Sequence, residues 1–316
     1  MLQVSALAKE ARTAWPKKIP RDFITVGSAA LASKATGYIR ELAMAFYFGT
    51  SMSTDAWLVA SALPNLLVRT VSGAIDELVV PLIIEAKNQT DYDEHRFINE
   101  LFTVITGAAL VLTVVAELAC PWIVRVVAPG FHGWELVLAT LMSRILVPTF
   151  AFWLWSGLFS GILQAHGLYF VPAWAPLSTN ILRIASIALL GSRMGIVGVA
   201  WGFLISTAFQ AGTLTATLVA HGFHPAVRLT LKASPTDQFF RLATPILLIT
   251  SAGNVGYLID RILASWLPVG TIAALNYGAL VSALPSVMLV LPLLTPIYTA
   301  FQSMPTAGAW ASGPIS

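Results

Sequence analysis

Eight stretches of the chain are mostly apolar over about twenty residues or more, the length an α-helix needs to cross the hydrocarbon of a bilayer. They lie at about 23–48, 55–86, 97–127, 136–163, 173–191, 196–220, 239–267 and 272–302. Inside lipid every backbone N–H and C=O must pair within the protein, so such stretches have to become helices. Composition leaves no soluble alternative. Of 316 residues, 57% are hydrophobic and 10% charged, whereas soluble domains carry about 25% charged residues. The expected fold class is all-α, a polytopic membrane protein of about eight transmembrane helices.

Lys and Arg beside the spans set the orientation. Lys9, Arg12, Lys17, Lys18 and Arg21 place the N-terminal segment in the cytoplasm. Lys87 and Arg96, then Arg228, Lys232 and Arg241, fall on that same side, while the connections at 49–54 and 267–271 hold neither residue type. The basic N-terminus is not read as a signal peptide, because the following span is long and contains Lys34, Arg40 and Glu41. Cys120 stands alone, which removes a disulfide framework. His221 and His224 form an HxxH without a third ligand. No metal, no organic cofactor and no nucleic-acid partner is expected. The bilayer is the obvious partner, and oligomeric state stays open.

The chain repeats itself at a shift of 221 residues. Arg40, Leu42, Ala43, Gly49 and Thr50 fall on Arg261, Leu263, Ala264, Gly270 and Thr271, and Ser61-Ala62-Leu63-Pro64 falls on Ser282-Ala283-Leu284-Pro285. That is nine identities over the 25 positions 40–64. Six spans precede the second copy, so both copies insert the same way, as in transporters built from parallel repeats. The expected organisation is a cytoplasmic basic segment at 1–22, a six-helix lobe at 23–221 and a cytoplasmic connection at 222–240. The first two helices of a second, shortened lobe follow at 241–302, with an irregular tail at 303–316. From Ile262 to Ser316 there is no Lys, Arg, His, Asp or Glu.

Charges within spans are costly unless they face a cavity or a partner, so their placement carries functional meaning. At about 100° per residue, Ser33, Lys34, Gly37, Arg40 and Glu41 share an arc of about 120° on the first span. Asn65, Arg69, Ser72, Gly73 and Asp76 share about 80° on the second, with Asp55 at its outer end. The seventh span adds Thr250, Asn254, Tyr257, Asp260 and Arg261. These stripes are expected to face one another across a polar cavity. Lys34 with Glu41, and Arg69 with Asp76, lie seven apart and could instead be neutralising pairs that only hold helices together. Arg125 and Arg193, near span ends, read as snorkelling. Glu117, Arg144 and Arg183 are given no role. The excess of cations at depth suits an anionic head group on a lipid tail, because arginine grips phosphate in a bidentate fork.

Several segments resemble the MurJ/MviN family of lipid II flippases, within the larger flippase and multidrug-exporter superfamily. Ser33 to Glu41 (SKATGYIRE) resembles the family's SRxxGxxRD, and Leu63 to Arg69 (LPNLLVR) its LPNLLRR. Phe48-Gly49 to Asp55-Ala56, Val80-Pro81, Ala128-Pro129-Gly130-Phe131, Gly161 to Ala165, Pro176 to Ile181 and Asp260 to Ser265 extend the likeness over about residues 23–300. The resemblance implies two six-helix lobes around a cationic cavity, through which a polyprenyl-pyrophosphate-linked glycan crosses from the cytoplasmic to the outer leaflet. It implies Lys34, Arg40, Arg69 and Arg261 as pyrophosphate contacts, and Glu41, Asp55, Asp76 and Asp260 as charge-balancing groups or ligands of a coupling cation, Na+ or H+. The chain departs from the family at Lys34, at Val68, at Ser72-Gly73-Ala74-Ile75, and at Ala279 and Leu280, where the motif carries an Asp-Arg pair.

The expected function is therefore a flippase for a lipid-linked glycan, lipid II before others, in the bacterial inner membrane with a cytoplasmic N-terminus. The alternatives are a flippase for another polyprenyl-linked saccharide, such as an exopolysaccharide precursor, and a transport-inactive fragment. A drug exporter should show an acid-dominated cavity. No loop carries the paired acids or His/Ser sets of a membrane enzyme, so no enzymatic activity is expected.

Overall fold

The computed structural model describes residues 21–88, 94–227 and 235–285. The basic residues Lys9 to Lys18, Asp91 and Asp93, Arg228 and Lys232, and everything from 286 onward, including the expected tail, lie outside the described residues. Helices account for nearly all of the rest: α1 (Arg21–Phe48), α2 (Met52–Ala60), α3 (Ala62–Asn88), α4 (Glu94–Val127), α5 (Trp134–Leu146), α6 (Thr149–Ala165), α7 (Phe170–Leu189), α8 (Gly191–Ala220), α9 (Pro235–Ala264) and α10 (Thr271–Pro285). No strand occurs among the described residues. The helices at Glu94–Val127, Trp134–Ala165, Gly191–Ala220 and Arg241–Ala264 are long and apolar enough to cross a membrane. Phe46, Leu118, Trp122 and Ile249 are all more than 70% exposed, as lipid-facing side chains should be.

Two of the expected spans are each two helices, and proline is the reason. Pro64 has no N–H, so the carbonyl of Ala60 lacks its donor four residues on. The Ser143 hydroxyl of α5 donates to that carbonyl instead, at 3.3 Å. The break falls at Ser61, between α2 and α3. Pro148 likewise deprives Arg144 of a donor and separates α5 from α6. A third bend has a different cause. Gly195 sits at φ 62 inside α8, a left-handed conformation open to glycine, and lets the chain turn from α7 into the long straight part of α8.

Contacts sort the connections into two ends. At one end Phe48 packs on Gly191, Gly130 N–H donates to Ser265 Oγ at 3.1 Å, and Gly270 lies on Thr50. At the other, Lys87 Nζ donates to the Ala165 carbonyl at 3.2 Å, His166 Nε2 stands 2.9 Å from Glu94 Oε1, and Ala226 N–H donates to Asn99 Oδ1 at 2.9 Å. Each end also has its own core. Trp57, Met142, Ile187 and Val199 belong to the first, and Phe97, Phe150, Ile162 and Leu214 to the second. Lipid tails are as apolar as leucine, so packing density and interhelical hydrogen bonds, rather than the hydrophobic effect, hold such cores together.

Candidate functional site

The α1 stripe turns toward α7. Asn180 of α7, itself buried, donates from Nδ2 to the Ser33 carbonyl at 3.0 Å, and its Oδ1 accepts from Arg40 Nη1 at 3.4 Å. Gly37, between them, leaves room for the amide: a Cβ there would lie 3.6 Å from Asn180 Nδ2. Arg40 Nη2 also donates to Glu41 Oε1 at 2.5 Å, with about a quarter of each side chain exposed. Glu41 thus pairs with its neighbour Arg40 in place of Lys34. Lys34 is exposed on α1.

A second polar centre joins α3 and α9. Tyr257 lies between two guanidiniums, with Arg261 Cζ 3.6 Å and Arg69 Cζ 5.2 Å from its ring centroid. A tyrosine face attracts cations through its quadrupole and keeps both at fixed positions. Arg69 is exposed and sits on Tyr257, and its alternative pairing with Asp76 rests on a side chain outside the described residues. Arg261 is 7% exposed and Asn254 9% exposed, and neither Arg261 Nε nor Asn254 Nδ2 has a hydrogen-bond partner. Asn254, Tyr257 and Arg261 are spaced i, i+3 and i+7 and so share one face of α9. Asp260 is exposed, within electrostatic reach of Arg261. The cationic residues thus have contacts within two helix pairs, Arg40 in α1 with α7 and Arg69 with Arg261 in α3 with α9.

Asp55 belongs to neither centre. It is 4% exposed and accepts from the backbone N–H groups of Gly270 at 2.5 Å and Ala273 at 2.7 Å. Those groups begin α10, whose first N–H groups have no partner within the helix, so the carboxylate caps the helix and complements its dipole. Asp55, expected as a charge-balancing group or ligand of a coupling cation, holds the start of α10 in this geometry. Gly270, at φ 93, lies so close to Thr50 that a Cβ would stand 2.5 Å from that carbonyl. Tyr277 Oη donates to the Gly49 carbonyl at 3.4 Å. Gly49-Thr50 and Gly270-Thr271, which coincide at the 221-residue shift, thus meet and close this end of the molecule.

Two contributors escaped the sequence reading. Asn180 appeared there only within a matching segment, yet it bridges α1 to α7. Arg183, one turn further on, was given no role. It is 5% exposed, donates from Nε to Ser206 Oγ and from Nη2 to Thr207 Oγ1, both at 3.1 Å, and lies 3.5 Å over the Phe203 ring. The signal was present: Asn180 and Arg183 share a face of α7, and adjacent hydroxyls at 206 and 207 interrupt an apolar α8. Arg125 and Arg193 are exposed at span ends, as snorkelling side chains are. His221 directs Nδ1 to the Thr217 carbonyl at 2.8 Å.

The family model described as lipid II flippase MurJ matches residues 44–311. A lipid II flippase MurJ from Burkholderia cenocepacia is 30% identical over 285 residues, covering 87% of this chain and 55% of that protein. A probable lipid II flippase MurJ from Rhizobium tropici is 30% identical over 277 residues, covering 84% and 51%. The chain spans about half the length of these curated relatives. Among solved structures, a lipid II flippase MurJ in an inward closed conformation superposes with a TM-score of 0.72 at 22% identity, covering 85% of this chain and 56% of that one. A MOP-superfamily transporter from Pyrococcus furiosus follows at 0.59 and 16%, covering 84% and 60%. The fold agrees with these structures, and the family model takes in most of the chain. The chain belongs to the lipid II flippase MurJ family.

Proposed function

We propose that the protein moves a lipid-linked glycan, peptidoglycan lipid II foremost, from the cytoplasmic to the outer leaflet of the bacterial inner membrane by alternating access. Its N-terminus is cytoplasmic in this reading, residues 23–221 form the first lobe, and 241–302 begin the second. The observation that carries it is the Arg69–Tyr257–Arg261 stack, where buried donors on Arg261 and Asn254 have no acceptor. Donors held unfilled at membrane depth call for anionic oxygens, and a pyrophosphate on a polyprenyl tail brings them there while its tail stays in lipid.

Arg69 and Arg261 then hold the pyrophosphate, with Arg40 and Lys34 receiving it along α1. Glu41, Asp76 and Asp260 balance charge or bind the coupling cation, Na+ or H+. Asp55 holds α10 where the Gly49 end is closed, and release of that cap accompanies opening. No bond in the cargo is made or broken; the work is a shift between two populated states.

The test is leaflet exposure of lipid II in cells depleted of their own flippase. Expression of the protein should restore outer-leaflet labelling of the precursor, and unchanged labelling would overturn the reading. A second cargo has one observation in its favour: Ala279 and Leu280 stand where the family motif has Asp-Arg. If a different polyprenyl-linked saccharide is the cargo, the protein should restore export of that polymer in a strain lacking its flippase and leave lipid II exposure unchanged.

A further inference from the structure

Arg183 is a buried cation without an acid. It lies 5% exposed in the seam between α7 and α8, and among the described residues no carboxylate comes within ion-pair distance of it. Its donors go to neutral groups, the hydroxyls of Ser206 and Thr207. Both hydroxyls in turn donate to the Phe203 carbonyl at 2.8 Å, which commits their protons and leaves their lone pairs to the guanidinium. The guanidinium also lies over the Phe203 ring, with the Trp153 ring centroid 5.9 Å from its Cζ. Lone pairs and aromatic faces replace the hydration that such an ion loses, but they do not cancel its charge. A guanidinium has no acceptor and stays protonated in proteins, so a fixed positive charge is built into this seam.

That charge stands beside Arg40. Gly37 faces Asn180, and Phe48 faces Gly191, eleven residues further along in both cases. The chain at α1 and at α7 therefore runs in parallel register, and Arg40 is level with Arg183. Arg40 and Glu41 both lie within electrostatic reach of it. Taken alone, Arg40 and Glu41 are a closed, hydrogen-bonded ion pair with no net charge to offer an anion. With Arg183 the group holds two cations and one acid. Access differs between them: about a quarter of the Arg40 and Glu41 side chains is exposed, whereas Arg183 is too buried to touch a ligand itself. A buried charge is screened little by water or salt, so its field reaches the exposed pair.

From this placement we infer that Arg183 is a positioning residue for the anionic head group: it offsets Glu41 from within the α7–α8 seam, so that Arg40 meets a pyrophosphate as an uncompensated cation. The inference rests on the reading of Arg40 as a pyrophosphate contact.

Binding of farnesyl pyrophosphate to the purified full chain, by fluorescence titration, tests it, with farnesol as the uncharged control. Arg183→Gln should weaken pyrophosphate binding about tenfold, the effect of one unit charge roughly 10 Å away at an effective dielectric near 20. Arg183→Lys keeps the charge and should stay within about threefold of the parent, which guards against loss through misfolding. Glu41→Gln added to Arg183→Gln removes the acid that Arg183 offsets, frees Arg40, and should restore binding to within about threefold of the parent. A purely structural role for Arg183 would not be rescued at Glu41, and would weaken farnesol binding as well. Arg183→Gln binding like the parent, no rescue by Glu41→Gln, a loss with Arg183→Lys equal to that with Arg183→Gln, or an equal loss for farnesol would each overturn the inference. Arg40→Gln separates it from the reading beneath it. If that variant binds the pyrophosphate like the parent, the role of Arg40 falls and this inference with it; if it loses binding while Arg183→Gln does not, this inference alone falls.

Discussion

At the scale of single residues, Tyr257 and Asp55 do work that their types alone do not reveal. Tyr257 spaces two guanidiniums, and replacing it with leucine removes the ring that holds them. A cation–π contact contributes roughly 0.5–2 kcal/mol, so Tyr257→Leu should weaken binding of a polyprenyl pyrophosphate about 2- to 30-fold while thermal stability in detergent changes little. Binding by fluorescence titration measures this, and Tyr257→Phe, which keeps the ring, should bind far closer to the parent than Tyr257→Leu does. Asp55→Ala removes the cap of α10. Helix caps contribute about 0.5–2 kcal/mol, and a lower melting temperature in detergent is expected, together with faster labelling of a cysteine placed at Thr50 as the Gly49 end opens more often. The charged positions 34, 40, 69 and 261 were legible in the sequence because ions inside an apolar span stand out. Their partners were not. Asn180 is unremarkable in a list of residues and becomes informative only once α7 is seen against α1, and Tyr257, already placed on the polar stripe of its span, shows its part only once α9 is seen against α3.

At the scale of helices, the apolar stretches located the elements within a few residues, while the breaks inside them needed three dimensions. Which prolines break a helix did not show in the sequence: Pro64 and Pro148 do, while Pro81 and Pro245 lie inside α3 and α9. That Ser143 of a distant helix supplies the donor missing at Ala60 did not show either, because it depends on how α5 packs on α2. This makes a specific thermodynamic cycle. Ser143→Ala leaves the Ala60 carbonyl unpaired in a buried setting, at a cost of about 1–3 kcal/mol. Combined with Pro64→Ala, which restores an N–H at position 64, the same change should cost markedly less than in the parent. Denaturation in mild detergent for the four proteins reads the coupling, and strictly additive effects would show that Ser143 does not serve that carbonyl.

At the scale of the whole molecule, the turns matched at a shift of 221 residues, Gly49-Thr50 and Gly270-Thr271, lie against each other. Gly270→Ala would put a Cβ 2.5 Å from the Thr50 carbonyl in a left-handed backbone conformation, so it should loosen that closure. Cysteine accessibility at Thr50 should rise in the variant, with the His166 end unaffected. The polar surfaces follow the same logic of helix pairs. Arg40 is held between α1 and α7, and Arg69 with Arg261 between α3 and α9. The decisive measurement is outer-leaflet exposure of lipid II, in flippase-depleted cells, with Arg40, Arg69 and Arg261 each changed to glutamine in protein shown to reach the membrane at parental levels. Loss of exposure in every single variant is expected; full exposure with all three neutralised together would contradict transport through these cations.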